Sequence, residues 1–211
     1  MHRFLFLTLC CVIAGNSYGM DRSSPALKKI LTGNNRHVRQ LYCQEKDEEI
    51  DPSTSTPLAT VLTCCDAEFS PASVFSQPPG QLYVVRSLAH VVDKGVIAAV
   101  EYGVGQRHSP LLIILGHQGC AVLTQAMKGY PFDDTPHLQD TLQQTQLALE
   151  SGHKGRSAVL ETHVRNSARR LLEESALLRE LVQSGETRIL MGIYRTDTGM
   201  IRWLKPEPTG R

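Results

Sequence analysis

Two short stretches of this sequence carry residues able to hold a metal ion. Cys64 and Asp66 follow the apolar run Leu58–Thr63, and His117 and Cys120 follow the run Leu111–Leu115. Two thiolates and an imidazole suit Zn²⁺, and three protein ligands leave a fourth position open, as at catalytic zinc sites. His-x-x-Cys alone is a weak signal, and a cysteine at a strand end is otherwise a small buried apolar residue. The weight rests on both motifs following strands of one sheet.

The elements that must position these residues follow from the apolar pattern. Leu58–Thr63, Leu82–Val85 and Leu111–Leu115 are apolar at nearly every position. Such runs predict strands covered on both faces, hence a parallel sheet. Val96, Ile97 and Val100 lie at helical spacing in Asp93–Tyr102, which predicts a crossover helix. Further helices are predicted over Ser23–Gln44, interrupted or bent at Gly33-Asn34-Asn35, and over Ala121–Lys128, Leu138–Glu150 and Ala158–Gln183. A fourth strand, Arg188–Tyr194, leads through Thr198-Gly199 into Met200–Leu204. The fold class is α/β, an open and mostly parallel sheet of four to five strands flanked by helices. Open sheets of this kind bind ligands beyond the C-terminal ends of their strands, where the cysteines and the histidine stand.

The 211 residues suit one domain, and 41% apolar with 20% charged excludes a disordered chain and a multi-span membrane protein. Lys and Arg number 22 against 21 Asp and Glu, so no broad basic face offers itself to nucleic acid. His2 and Arg3, the apolar run Phe4–Ala14 and the small residues up to Gly19 have the form of a secretory signal. That run falls short of the roughly 20 residues a spanning helix needs, so stable membrane insertion is not expected. Residues 1–19 are therefore read as a signal peptide, 20–211 as a single mature domain, and the protein as exported, periplasmic or secreted. Of six cysteines, removal of Cys10 and Cys11 leaves Cys43, Cys64, Cys65 and Cys120. Two disulfides are the default in an oxidising compartment, and a metal site is the alternative.

Cys64-Cys65-Asp66, Gly80–Arg86 and Gly116-His117-Gln118-Gly119-Cys120 resemble the three signature blocks of the β-class carbonic anhydrases. Leu31–Arg36 resembles that family's N-terminal helix block, and Glu161–Leu204 its last helix and strands, so the likeness covers about residues 23–204. The resemblance implies a β-carbonic anhydrase-like zinc domain with Cys64, His117 and Cys120 as metal ligands. It implies reversible hydration of CO2 to bicarbonate, with the metal lowering the pKa of its water to about 7. Asp66 takes the place of the family's catalytic aspartate, and a homodimer or higher homo-oligomer is implied. Cys65 is a packed or free thiol, since a motif shifted onto it would put Ala67 where the aspartate belongs.

The match breaks beside the metal motif. Glu68 stands where the family has the arginine that pairs with its aspartate, a charge reversal that sets two acids side by side. Unpartnered, Asp66 could close the site as a fourth ligand. Ala121 replaces a glycine, Ser87 and His90 replace two asparagines, and Ser55 replaces a glutamine of the family pattern. Tyr83 and Val84 line a CO2 pocket or belong to the sheet core, and Arg86 could donate to Asp66. His90 is a proton shuttle or an ordinary surface or interface histidine, and Glu68 a substitute proton acceptor or a solvated acid. His108, His137 and His153 carry no spacing signal. Three functions remain open: a carbonic anhydrase of reduced turnover, a non-catalytic zinc relative, and a hydrolase of a CO2 analogue such as COS or CS2.

Overall fold

The computed structural model describes residues 25–43, 56–66, 69–129, 135–139, 141, 143, 145 and 155–205. The chain divides into two compact units, 1–49 and 50–211. In the first, helix α1 spans Pro25–Cys43, with proline at its first position, where the missing N–H costs nothing. It runs unbroken through Gly33-Asn34-Asn35, so of the interruption or bend expected there the interruption does not occur. A single helical glycine costs only about 1 kcal/mol against alanine, too little to end a helix of this length.

The second unit is built on a five-stranded sheet in the order β2-β1-β3-β4-β5. Its strands are β1 (Ala59–Cys64), β2 (Leu82–Ser87), β3 (Leu111–His117), β4 (Arg188–Tyr194) and β5 (Ile201–Trp203). The first four pair in parallel, and β5 returns antiparallel on β4. The helices are α2 (Pro71–Val74), α3 (Lys94–Glu101), α4 (Ala121–Met127), α5 (Arg156–Glu174) and α6 (Ala176–Ser184). The predicted open, mostly parallel sheet flanked by helices is what forms. Residues 1–24, and with them the signal segment, lie outside the described residues, as does most of the helix expected over Leu138–Glu150. Among the described residues no helix is long and apolar enough to cross a membrane.

Alternation along the central strands splits the core in two. Leu62, Cys64, Leu112 and Ile114 face one side with α3, α4 and α5, while Ala59, Val61, Ile113 and Leu115 face the other with Phe69 and Phe75. Every residue of β1 is buried, as its continuous apolar run requires. The edge strand β2 departs from that expectation, because Val84 is 39% exposed. An edge strand has a neighbour on one side only, and composition does not say which strand will be the edge.

The single helix expected over Ala158–Gln183 is two. Ser175 is extended (φ −109°, ψ 114°), and its side chain accepts the Leu178 N–H as the N-cap of α6. Its hydroxyl donates to Glu101 at the end of α3 (2.6 Å), so the break is pinned from across the fold.

Candidate metal centre

The connections out of β1 and into β3 run to opposite sides. From β1 the chain turns to β2 on one flank, then crosses back past β1 to lay β3 on the other. The C-terminal ends of β1 and β3 therefore flank the switch point, the place where an open α/β sheet leaves a crevice. Cys64 is the last residue of β1 and His117 the last of β3. Gly119, at φ 77°, turns the chain sharply so that Cys120 comes back beside them and opens α4. Gly116 lets β3 approach α5, since a Cβ there would lie 2.7 Å from Val164 Cγ2.

Cys64, His117 and Cys120 are all buried, and their ligand atoms lie within 4.8 Å of one another. The two sulfurs are 3.9 Å apart. Tetrahedral zinc with Zn–S bonds of about 2.3 Å spaces its sulfurs by about 3.8 Å, so this pair is already at coordination distance. The His117 Nδ1–H donates to the Gln118 carbonyl (3.3 Å), which leaves Nε2 as the ring's lone-pair nitrogen. That atom is buried and has no hydrogen-bond partner among the described residues. A buried acceptor left without a partner is costly unless a ligand takes it. No disulfide competes, for Cys64, Cys65 and Cys120 are all free. The donor set therefore fits a thiophilic divalent ion.

The thiols themselves are polarised against each other. The hydrogen bond to Cys120, followed by burial, pushes the Cys64 thiol up to about 12. The same hydrogen bond holds Cys120 below the usual thiol value of 9.0, and the Leu123 and Val122 amides at the start of α4 help it. The pair is therefore asymmetric, with Cys120 the more readily ionised of the two thiols. Two backbone amides also point at the Cys64 sulfur, Ala89 N–H at 3.2 Å and Asp66 N–H at 3.3 Å.

Asp66 is exposed beside this cluster, and its Oδ2 accepts the Ala121 N–H (3.0 Å). Glu68 and Ala67 lie outside the described residues. Arg86 does not reach for Asp66. Its guanidinium donates to the Cys64 carbonyl (3.0 Å) and the Phe69 carbonyl (2.8 Å), tying the two ends of the loop that carries Asp66. Tyr83 is half-buried with its ring on Tyr102 (centroids 5.8 Å apart), and Val84 lies on the open side of β2. His90 is only 1% exposed, so it is not the surface histidine the sequence allowed, and burial holds its imidazole well below its usual pKa. Cys65 is an exposed free thiol, as expected for a residue outside the ligand set.

Sequence reasoning missed several residues that shape the site. The Phe69 ring meets His117 edge-on at 5.9 Å and is itself backed by Tyr194 at 4.4 Å, so one aromatic ring covers the imidazole and a second supports it from behind. Ala121 and Ala89 act through backbone N–H groups, which no residue type announces. His163, on α5, donates from Nε2 to the Ala89 carbonyl at 2.7 Å. Only the helical spacing of α5 hinted that it faces inward.

Comparisons with known proteins agree with this geometry. The carbonic anhydrase family model matches residues 59–201, which takes in the four parallel strands and the three clustered ligands. A carbonic anhydrase 2 of Mycobacterium tuberculosis is 26% identical over 85% of this chain and 93% of its own. A carbonic anhydrase of Mycolicibacterium smegmatis is 27% identical over 86% of this chain and 94% of its own. One of two tetrameric β-carbonic anhydrases from Sordaria macrospora superposes with a TM-score of 0.72 over 86% of this chain and 98% of its own, at 17% identity. With the match spanning the sheet and the crevice that gathers two sulfurs and an imidazole, this chain belongs to the β-class carbonic anhydrase family.

Proposed function

We propose that this protein is a zinc lyase that interconverts CO2 and bicarbonate. The carrying observation is the convergence of Cys64, His117 and Cys120 at the switch point of a sheet matched by the family model. These three would hold the ion. Zinc, when bound, supplies a Lewis acid that makes water a nucleophile near neutral pH. The protein's own part is to fix the donors and shape the space around them. Ala89 and Asp66 amides neutralise part of the charge on the Cys64 sulfur, and Phe69, backed by Tyr194, packs edge-on against His117.

Asp66 is the base that orients the attacking water by accepting its hydrogen bond. The Ala121 amide takes Oδ2 and steadies the carboxylate in the way the family's arginine would, and the second oxygen is left for water. Arg86 serves the site indirectly, by bracing the Cys64 and Phe69 carbonyls. A neutral amide fixes a carboxylate less firmly than a guanidinium does, which supports turnover below that of relatives keeping the arginine. The same missing cation favours the second reading, a non-catalytic zinc protein with Asp66 as fourth ligand.

Stopped-flow CO2 hydration by the zinc-loaded protein separates the two. Hydration above buffer background, lost in Asp66→Ala and raised in Glu68→Arg, supports the lyase. Background rates with zinc fully bound refute it. Sulfide release from COS without CO2 hydration would instead identify an analogue hydrolase. We further propose export through the 1–19 segment, read by cleavage after Gly19, and assembly as a homodimer or larger oligomer, read by sedimentation.

A further inference from the structure

The backbone that follows β2 is held where L-residues rarely sit. Ala89 (φ 49°, ψ 28°) and His90 (φ 48°) are both left-handed, and neither is glycine. Such a step persists only where its surroundings fix it. On its inner side the Ala89 N–H donates to the Cys64 sulfur. On its outer side α5 grips both carbonyls. His163 Nε2 donates to the Ala89 carbonyl at 2.7 Å, and the Ser167 hydroxyl, one helical turn further on, points at the His90 carbonyl (3.2 Å) as well as at the His163 carbonyl (3.1 Å). His90, His163 and Ser167 are 1%, 2% and 4% exposed.

The grip is specific in direction. A carbonyl only accepts, so the His163 proton sits on Nε2, and Nδ1 faces the interior with no partner among the described residues. The His90 ring stacks on His163 at 4.5 Å, and its two nitrogens also lack partners among the described residues. A histidine pair retained only for packing would be served better by apolar rings. Among the described residues, the one directed interaction of the His163 ring goes to the residue whose amide touches the sulfur.

The geometry points to His163, seconded by Ser167, as a positioning residue for the metal centre: by anchoring the Ala89 and His90 carbonyls it keeps that step left-handed and the Ala89 amide aimed at the Cys64 sulfur. The inference rests on the reading of Cys64 as a metal ligand. An amide proton on a thiolate stabilises the anion and draws charge from it, so losing the bond weakens metal retention and makes the sulfur a stronger electron donor.

The test uses the full chain loaded with Co²⁺, whose sulfur-to-metal charge-transfer band reports the thiolates, beside chelator competition for Zn²⁺. His163→Phe keeps a ring and removes the donor. It should lower zinc affinity roughly tenfold and move the band to longer wavelength. Ala89→Gly supplies a residue at ease at φ 49°. In that background the same His163→Phe change should cost less than about threefold, because the step no longer needs holding. An unmoved band and affinity in folded His163→Phe overturn the inference, and so does an equal loss in both backgrounds, which marks a merely structural residue. If His163→Phe does not fold, Ser167→Ala decides: a band shift in the same direction supports the grip, and an unmoved band refutes it. A wild-type protein without any sulfur-to-cobalt band refutes instead the metal reading on which the inference stands.

Discussion

Metal uptake should be steeply pH-dependent, with a slope the sulfur pair dictates. In the metal-free protein Cys64 keeps its proton well past neutrality, since its thiol is pushed up to about 12 by the hydrogen bond to Cys120 and by burial. A metal binds the thiolate, so that proton must leave on binding. Across pH 7–9, below the Cys64 pKa, each unit of pH therefore raises the apparent affinity by about tenfold through Cys64 alone. Cys120 is held below 9.0 and adds up to a second factor of ten per unit only while pH stays under its own pKa. The slope of log affinity against pH should be at least one and no more than two throughout, a gain of at least roughly 100-fold over the window. Chelator competition at closely spaced pH values measures it, and calorimetry in buffers of different ionisation enthalpy counts the protons directly. The sign is fixed: a raised thiol pKa makes binding worse at low pH. A flat profile would show that Cys64 is either already ionised or not a ligand. A slope unchanged in Cys64→Ser would place the released proton elsewhere.

Three structural perturbations bear on the same site. Gly116→Ala puts a methyl 2.7 Å from Val164 Cγ2 and 3.1 Å from Leu160 Cδ1. Overpacking of this kind costs about 1–3 kcal/mol, and thermal unfolding should show it together with weaker metal binding, because His117 is the next residue. Arg86→Met keeps the stem but drops both carbonyl bonds, and should lower stability by about 1–3 kcal/mol with faster amide exchange at Asp66. Ser175→Ala removes the α6 N-cap and the bond to Glu101, and should cost about 1–2 kcal/mol in denaturant unfolding with metal affinity unchanged.

The sheet was legible because its apolar runs are strong and local. Leu111–Leu115 has no reading but a strand covered on both faces, and its residues are in fact buried or nearly so. The α3 crossover was visible in the spacing of Val96, Ile97 and Val100, all of which are buried. The ligands Cys64, His117 and Cys120 stood out because both motifs directly follow strand-like apolar runs and match the family's signature blocks. What stayed hidden depends on contacts between distant segments. The extended conformation of Ser175 is fixed by Glu101, 74 positions away. The edge position of β2 is settled by topology, and composition within the strand cannot reveal it. Asp66 was legible as a carboxylate beside the metal, yet its partner is a backbone N–H that any residue at 121 but proline would supply.

That last case bears on what the altered motif means. An arginine two residues after the aspartate holds it through a side chain, so its loss looks from sequence like the loss of a catalytic group. The fold offers other donors at the same place. The chain leaves Cys120 directly into α4, whose first amides have no helical partner and point toward the crevice. Val122 and Leu123 spend theirs on the Cys120 sulfur and Ala121 on Asp66. The turn after β2 supplies one more amide, from Ala89, to Cys64. The charge of this centre is thus balanced mainly by backbone, which substitution does not remove. Side chains such as Arg86 and His163 act one step back, on the carbonyls of the segments that carry those amides. A site so built keeps its metal-binding geometry while its side-chain motif drifts, because the donors come from how the strands end and not from which residues follow them.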